Sequence, residues 1–312
     1  MISLGQYPAP GHVIAHVSDT HLLGEGRLLF GAVETEKHLA QALAQLENLG
    51  TKPAAIVFTG DLADLGELDA YERLKRIVEP AAARLGAQVI WVMGNHDERP
   101  EYSSLLFGEE PSTDPQDRVY DIDGLRIISL DTTVPGYHHG DITDAQLEWL
   151  AAELSTPAPH GTLLALHHPP VPTPLLWAME MLELHGQDRL AAVLAGTDVR
   201  GILGGHLHYS SHSTFAGIPV SVAAATCYTL GLTERDRLLS GSDANQSINL
   251  VHVYDDSVVH TVVPLGERLE ISSTPSHYVE LIESMTFDER LATFSAKDSA
   301  FNRGEETRPD IR

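Results

Sequence analysis

Short apolar runs alternate with helix-periodic stretches from the N-terminus onward. His12–Ser18, Ala54–Phe58 and Gln88–Met93 read as strands, and the last two are apolar almost throughout, as strands covered on both faces are. Between them, Val33–Leu49 and Glu67–Leu85 carry apolar residues near the i, i+3, i+4 spacing of a helix with one buried face. This alternation predicts a mainly parallel sheet. The second half adds hairpins: Arg118–Ile122 and Leu125–Leu130 flank Asp123-Gly124, Ser213–Phe215 and Ile218–Val222 flank Ala216-Gly217, and Ile248–Tyr254 and Ser257–Val263 flank Asp255-Asp256. Two further short strands, Thr162–Leu166 and Arg200–Leu203, alternate with helical segments at Asp144–Leu154 and Gln187–Leu194. No low-complexity linker separates the halves, so one domain is expected over residues 1–265. Over residues 266–312 the pattern fails. This polar, acidic segment is expected to be a tail, ordered in part at most, with one short helix around Tyr278–Met285.

The 43% apolar and 21% charged residues are ordinary for a globular protein; the sign of the charge is not. Acidic residues number 44 against 20 basic, a formal net charge of −24. Such a surface repels polyanions, which argues against a coat on a nucleic-acid polymer and against an electrostatic anchor on anionic lipid. It leaves room for a small phosphate ester gripped locally by metal. The single cysteine, Cys227, excludes an intramolecular disulfide and a Cys-rich zinc module. It sits in the apolar run Val222–Tyr228 and reads as a small core residue. No apolar run reaches the ~18 residues of a membrane span. The first Lys or Arg is Arg27, so the N-terminus lacks the basic-then-apolar pattern of an export signal, and a cytosolic location is expected.

Seventeen histidines are many beside 20 Lys plus Arg, and the informative ones share a position. Asp19-Thr20-His21, Gly60-Asp61, Gly94-Asn95-His96-Asp97, His167-His168 and Gly205-His206-Leu207-His208 each follow a strand. In an open α/β sheet the C-terminal strand ends share one edge, where ligands bind. Imidazole nitrogen, carboxylate and amide oxygen suit Zn, Fe, Mn or Co. Asp19, His21, Asp61, Asn95, His167, His206 and His208 exceed the needs of one ion. They supply two if a carboxylate bridges, and Asp61 is the natural bridge. Two ions ~3.5–4 Å apart form a clamp for in-line phosphoryl displacement. Asp64 and Asp97 read as outer acceptors that orient ligand histidines. His138 and His139 lie in a Pro-Gly loop on the rim, and either is a candidate substrate contact, the alternative being a solvated loop. His168 directly follows a ligand and is expected to turn away. Gly60, Gly94 and Gly205 stand where the backbone must bend sharply beside the ions.

Asp19-Thr20-His21, Gly60-Asp61-Leu62-Ala63-Asp64, Gly94-Asn95-His96-Asp97, His167 and Gly205-His206-Leu207-His208, in that order, resemble the full signature of the calcineurin-like metallophosphoesterases. Within that superfamily the chain is most similar to the bacterial class III cyclic-nucleotide phosphodiesterases, from His12 to Val263. The likeness includes the segments Leu130–Gly140 and Ala165–Pro170. The resemblance implies an α/β four-layer αββα sandwich of two mixed sheets. It implies that Asp19, His21, Asp61 and His208 hold one metal, and Asp61, Asn95, His167 and His206 the other. The ions would be Fe, Mn or Zn. Catalysis would rest on His96, Asp61 and Asn95, and substrate contacts on His21, Asn95, His96, His138 and His208. The implied reaction is hydrolysis of 3′,5′-cyclic nucleotides, cyclic AMP and also cyclic GMP, to 5′-monophosphates. A hydroxide bridging the two metals would attack, with His96 as proton donor. Two alternatives stay open: the same chemistry on 2′,3′-cyclic nucleotides, glycerophosphodiesters or phosphomonoesters, and a non-catalytic metal-binding scaffold. The implied partner is a small phosphodiester, with a second copy of the chain in a homodimer.

Overall fold

A computed structural model describes residues 5–234, 236–266 and 269–304. The chain divides into a large unit, Ala9–Gly266, and a small unit formed by the two chain ends, Met1–Pro8 with Glu267–Arg312. The large unit opens with β1 (His12–Val17), α1 (Thr35–Glu47), β2 (Ala55–Thr59), α2 (Leu68–Leu85), β3 (Gln88–Val92) and α3 (Arg99–Phe107). It continues through β4 (Arg118–Ile122), β5 (Leu125–Leu130), α4 (Asp144–Glu153), β6 (Thr162–Leu166), α5 (Gln187–Leu194) and β7 (Val199–Gly204). It ends with β8 (Ser211–Phe215), β9 (Ile218–Val222), β10 (Thr229–Leu230), β11 (Gly241–Ser242), β12 (Ser247–Val253) and β13 (Val258–Pro264). The helix α3 was not anticipated. Pro100 sits in its first turn, and it buries only Tyr102, Ser103 and Leu106, too short a stripe to stand out in the pattern.

The first sheet has the order β13-β12-β1-β2-β3 and the second β4-β5-β6-β7-β9-β8. Consecutive neighbours run parallel, as the alternation of strands and helices predicts: β1, β2 and β3 in one sheet, and β5, β6, β7 and β9 in the other. Antiparallel strands adjoin them, on one side in the first sheet and on both sides in the second. The hairpin β12–β13 pairs with β1 through Ala15↔Leu250, β4 pairs with β5, and β8 with β9. Both sheets are therefore mixed.

Because side chains alternate across a strand, each sheet presents two apolar faces. Ile14, Val57 and Ile90 of the first sheet meet Ile127, Leu163, Ala165 and Leu203 of the second in a dry middle layer. On the opposite face of the first sheet, Ala15, Ile56 and Phe58 pack on Leu39 and Leu43 of α1, Leu74 and Val78 of α2, and Tyr102 of α3. On the outer face of the second, Ile128, Leu164 and Ile202 pack on Leu147 and Leu150 of α4 and Leu190 and Leu194 of α5. The result is helix, sheet, sheet, helix.

Within the small unit, α6 (His277–Ser284), α7 (Phe287–Arg290) and α8 (Ala300–Arg303) form short helices. The rings of Tyr278, Phe294 and Phe301 meet edge to face there. Of the expected tail, residues 267, 268 and 305–312 lie outside the described residues. Among the described residues no helix is long and apolar enough to cross a membrane.

Leu163 is fully buried between the sheets. Leu163→Ala is expected to destabilise the fold by about 2–5 kcal/mol. The check is a lowered urea midpoint with an unchanged slope; an unmoved midpoint would contradict the layer assignment.

Candidate metal centre

The polar clusters meet at the C-terminal ends of β1, β2 and β3 from the first sheet and β6 and β7 from the second. Backbone hydrogen bonds knit the loops together. Asp19 N donates to Gly60 O at 3.1 Å, His21 N to Asp61 O at 2.9 Å and Gly205 N to His167 O at 3.0 Å. The two sheets are tied directly at the site, where His206 N donates to both carboxylate oxygens of Asp19 at 3.2 Å.

Five of the seven candidate ligands have left-handed backbone geometry: Asp19 (φ +50°), His21 (+44°), Asp61 (+48°), His206 (+69°) and His208 (+55°). That region costs a residue with a Cβ about 1–3 kcal/mol and persists only where the surroundings over-determine it, typically at functional sites. Gly60 (φ +91°) and Gly94 make the crossing of these loops feasible. A Cβ on Gly60 would lie 2.7 Å from the Gly94 Cα, and one on Gly94 would collide with the backbone and carboxylate of Asp61.

The histidine tautomers follow from their outer partners, since a carbonyl or carboxylate oxygen only accepts. His21 Nδ1 donates to Asp64 Oδ1 at 2.9 Å. His208 Nδ1 donates to Tyr228 O at 2.9 Å, His167 Nδ1 to Thr59 O at 2.7 Å, and His206 Nε2 to Leu182 O at 3.0 Å. The opposite ring nitrogens therefore carry lone pairs, and they face one another. His21 Nε2 lies 3.2 Å from His208 Nε2, and His167 Nε2 lies 3.2 Å from His206 Nδ1. Asp61 Oδ2 lies 3.4 Å from the first pair, at His21, and 3.3 Å from the second, at His167. Asp19 Oδ1 joins the first set, 3.4 Å from His208 Nε2, and Asn95 Oδ1 the second, 3.0 Å from His167 Nε2. The ligand atoms of Asp19, His21, Asp61 and His208 all lie within 4.8 Å of one another. These are two acceptor sets, buried except at the half-buried Asn95, that share one carboxylate, which is the chemistry that cations satisfy. The residues present thus fit a metal centre.

Without cations, protons take their place. Burial works against charge on His21 and His167, but Asp61, with Asp64 at His21, outweighs it and raises them to about 10 and about 9. Their partners are held neutral: burial, then the neighbouring charged imidazole, lowers His208 to about 3 and drives His206 well down. Burial also opposes ionisation of Asp61, yet the His167 and His96 imidazoles hold its carboxyl well below the usual carboxylate range.

The surrounding residues divide by role. Asp64 accepts from His21 Nδ1. Asp97 differs from the expectation. It accepts from the backbone amides of Leu62 (3.1 Å), Ala63 (3.0 Å) and Gly94 (2.9 Å) and from the Tyr71 hydroxyl (2.9 Å), so it clamps two loops rather than a histidine. His96 donates its backbone NH to Asp61 Oδ1 at 2.8 Å and its Nδ1 to Asp64 O at 2.9 Å. Among the described residues Nε2 of this half-buried ring has no hydrogen-bond partner. His138 is exposed, with Nδ1 2.8 Å from Asn95 Nδ2. His139 is elsewhere, stacked on His185 at 4.6 Å.

His168 does not simply turn away. It is fully buried, its Nδ1 meets Thr132 Oγ1 at 2.8 Å, and its Nε2 donates to His138 O at 3.2 Å. It thereby fixes the loop that carries His138. Sequence reasoning passed over this role, although the rim-loop threonine and a second histidine beside a ligand were both visible. Cys227 is buried, and burial raises its thiol well above the ordinary value.

The chain belongs to the calcineurin-like phosphoesterase family, whose model matches residues 12–210. It is 59% identical over 261 residues, 84% of this chain and 82% of the relative, to a cAMP/cGMP dual specificity phosphodiesterase of Mycobacterium tuberculosis. A 3′,5′-cyclic adenosine monophosphate phosphodiesterase of Escherichia coli is 30% identical over 231 residues, covering 73% of this chain and 82% of that one. In fold, the chain is similar to a dimetal phosphatase from Danio rerio: TM-score 0.58 at 17% identity, covering 82% of this chain and 96% of that one.

A cation entering either set displaces the proton on His21 or His167. Because these protons are held up to about 10 and about 9, apparent metal affinity should rise with pH from 6 to 8, with net proton release. Calorimetry with Mn²⁺ in buffers of different ionisation enthalpy tests this; pH-independent binding without proton release would contradict it. Asp64→Asn should weaken binding about 10–100-fold.

Proposed function

We propose that the large unit, read from the sequence as residues 1–265, is a binuclear-metal phosphodiesterase that hydrolyses 3′,5′-cyclic nucleotides to 5′-monophosphates. Residues 266–312 form a segment outside the chemistry. One observation carries this reading: two acceptor sets, buried but for Asn95, that share Asp61 at the strand ends of both sheets. Asp19, His21, Asp61 and His208 would hold one ion, and Asp61, Asn95, His167 and His206 the other. Fe, Mn and Zn all suit these donors. When bound, the ions supply Lewis acidity toward the phosphate oxygens and lower the pKa of water near the phosphorus. Two divalent ions carry +4 against −2 from Asp19 and Asp61, so the site attracts a phosphate anion despite the acidic chain. The named activities of the relatives support cyclic nucleotides as substrates.

The chain's own residues then have defined tasks. Water attacks phosphorus in line with the P–O3′ bond, which breaks as the new P–O bond forms. The 3′ oxygen is a poor leaving group as an alkoxide, and His96 gives it a proton. With Nδ1 donating to Asp64 O, the protonated ring has Nε2–H to donate, and such transfer contributes about 10²–10⁴-fold. Asn95 is held from two sides, by His167 at Oδ1 and by His138 at Nδ2, which supports His138 as a contact for the substrate's phosphate or ribose. A scaffold without catalysis has little need of every donor, and all seven are present. The resemblance extends the proposal to a homodimer, for which light scattering of the purified chain is the test.

His96→Ala should keep both metals and lower kcat for cyclic AMP by about 10²–10⁴-fold. Asn95→Ala should lose metal as well as turnover. Steady-state kinetics with metal analysis of each variant decides; full turnover of cyclic AMP by metal-replete His96→Ala would remove its role. A kcat/KM panel over 3′,5′- and 2′,3′-cyclic nucleotides, glycerophosphodiesters and phosphomonoesters ranks the substrates, and a higher value for a non-cyclic ester would overturn the cyclic-nucleotide reading.

A further inference from the structure

We propose that Phe30 and Tyr228 form an aromatic shelf beside the metal centre on which the substrate's nucleobase stacks. The inference rests on the cyclic-nucleotide reading above and specifies where the part of the substrate remote from phosphorus binds.

Three observations converge on Phe30. Its ring is 74% exposed, although it is large and apolar. Its backbone has φ +53°, a conformation that is an outlier for a bulky side chain. The turn that imposes this geometry is firmly anchored. Gly31 N donates to Leu28 O at 3.0 Å, and Leu29 and Val33 exchange backbone hydrogen bonds at 2.9–3.0 Å. Leu29 and Val33 are themselves buried in a small cluster with Leu23, Ala225 and Cys227. The fold thus strains the backbone in order to hold an aromatic ring out in solvent. Single exposed apolar residues need no explanation, but one held by backbone strain points to use of the ring.

The ring's neighbours give that use a direction. Phe30 meets Tyr228 edge to face at 5.2 Å between centroids. Tyr228 lies 4.4 Å from His208 and 6.2 Å from His21, and its carbonyl accepts from His208 Nδ1. A continuous line of rings therefore runs outward from two candidate metal ligands, His208 to Tyr228 to Phe30. In a 3′,5′-cyclic nucleotide the base hangs one ribose ring away from phosphorus. With the phosphate at the metals, a base lying toward this side reaches the shelf. Stacking on an aromatic face accepts any base, so the shelf admits adenine and guanine alike and grips the base without reading its edge.

A rival seat exists across the site. A cavity of about 160 Å³ beside Asn95 is lined by Arg99, Val134 and Pro135. The two seats predict different variants. In the metal-loaded enzyme, Phe30→Ala should raise KM for cyclic AMP and cyclic GMP about 5–100-fold with kcat within twofold. Hydrolysis of a base-free ribose 3′,5′-cyclic phosphate should be unchanged, and Phe30→Trp should restore nucleotide KM. Titration calorimetry with AMP and with ribose 5-phosphate gives a readout independent of turnover: wild type should prefer AMP, and Phe30→Ala should lose the preference. Unchanged nucleotide KM, or an equal rise on the base-free substrate, overturns the shelf. So does a rise in KM in Val134→Trp with none in Phe30→Ala, which puts the base beside Asn95. If wild type turns over other diesters but no cyclic nucleotide, the functional reading fails separately. The shelf is then judged by the AMP preference alone, and equal binding of the two ligands overturns it.

Discussion

Asp61 Oδ2 stands 3.4 Å from His21 Nε2 and 3.3 Å from His167 Nε2, all three side chains being buried. Acceptors brought this close repel unless a positive charge lies among them, and the low polarity of the surroundings makes both the repulsion and its relief large. The rest of the large unit can be understood as the apparatus that holds this arrangement. Two sheets are needed because the acceptors come from five strand ends, three in one sheet and two in the other. Each imidazole is locked by an outer carbonyl or carboxylate, so that its lone pair cannot rotate away from its neighbours.

Backbone strain is concentrated at the same place. Positive φ at Asp19, His21, Asp61, His206 and His208 opposes folding. The apolar layers on either side, from Phe58 and Leu74 to Leu163 and Leu203, offset it. Asp97 shows how the strain is contained: one carboxylate receives three backbone amides and a tyrosine hydroxyl, so the loops after β2 and β3 form a single rigid piece. Asp97 has its ionisation resisted by burial and by Asp61, which raise it to about 6, a further sign of how crowded with negative charge the region is.

Much of this was legible in the chain because it is local. Strands such as β5 and β6 match their apolar runs residue for residue, and the ligand clusters are visible as polar residues directly after those runs. What escaped depends on contacts distant in sequence. No hydrophobic pattern says that β12 lies beside β1, so the mixed character of the sheets came from the family likeness rather than from periodicity. The role of His168 depends on Thr132 and His138, 36 and 30 residues away. Asp97 resembled a histidine partner in its motif, yet its donors in space are three amides and the Tyr71 hydroxyl. Phe30 had no signal at all, because a lone aromatic in a polar loop looks the same whether it is buried or displayed.

The pairing of β1 with β12 has a consequence for how the protein is made. Residues 12–16 find their antiparallel partner only at residues 249–253, so during synthesis the first strand of the unit waits for nearly the last. Until then the β1 edge is bare, and an open edge is a template for unwanted pairing. The site built on Asp19 and His21 thus begins to form among the earliest residues of the large unit, while the sheet beneath it closes only when that unit is almost complete, which favours chaperone cover during translation over piecemeal assembly.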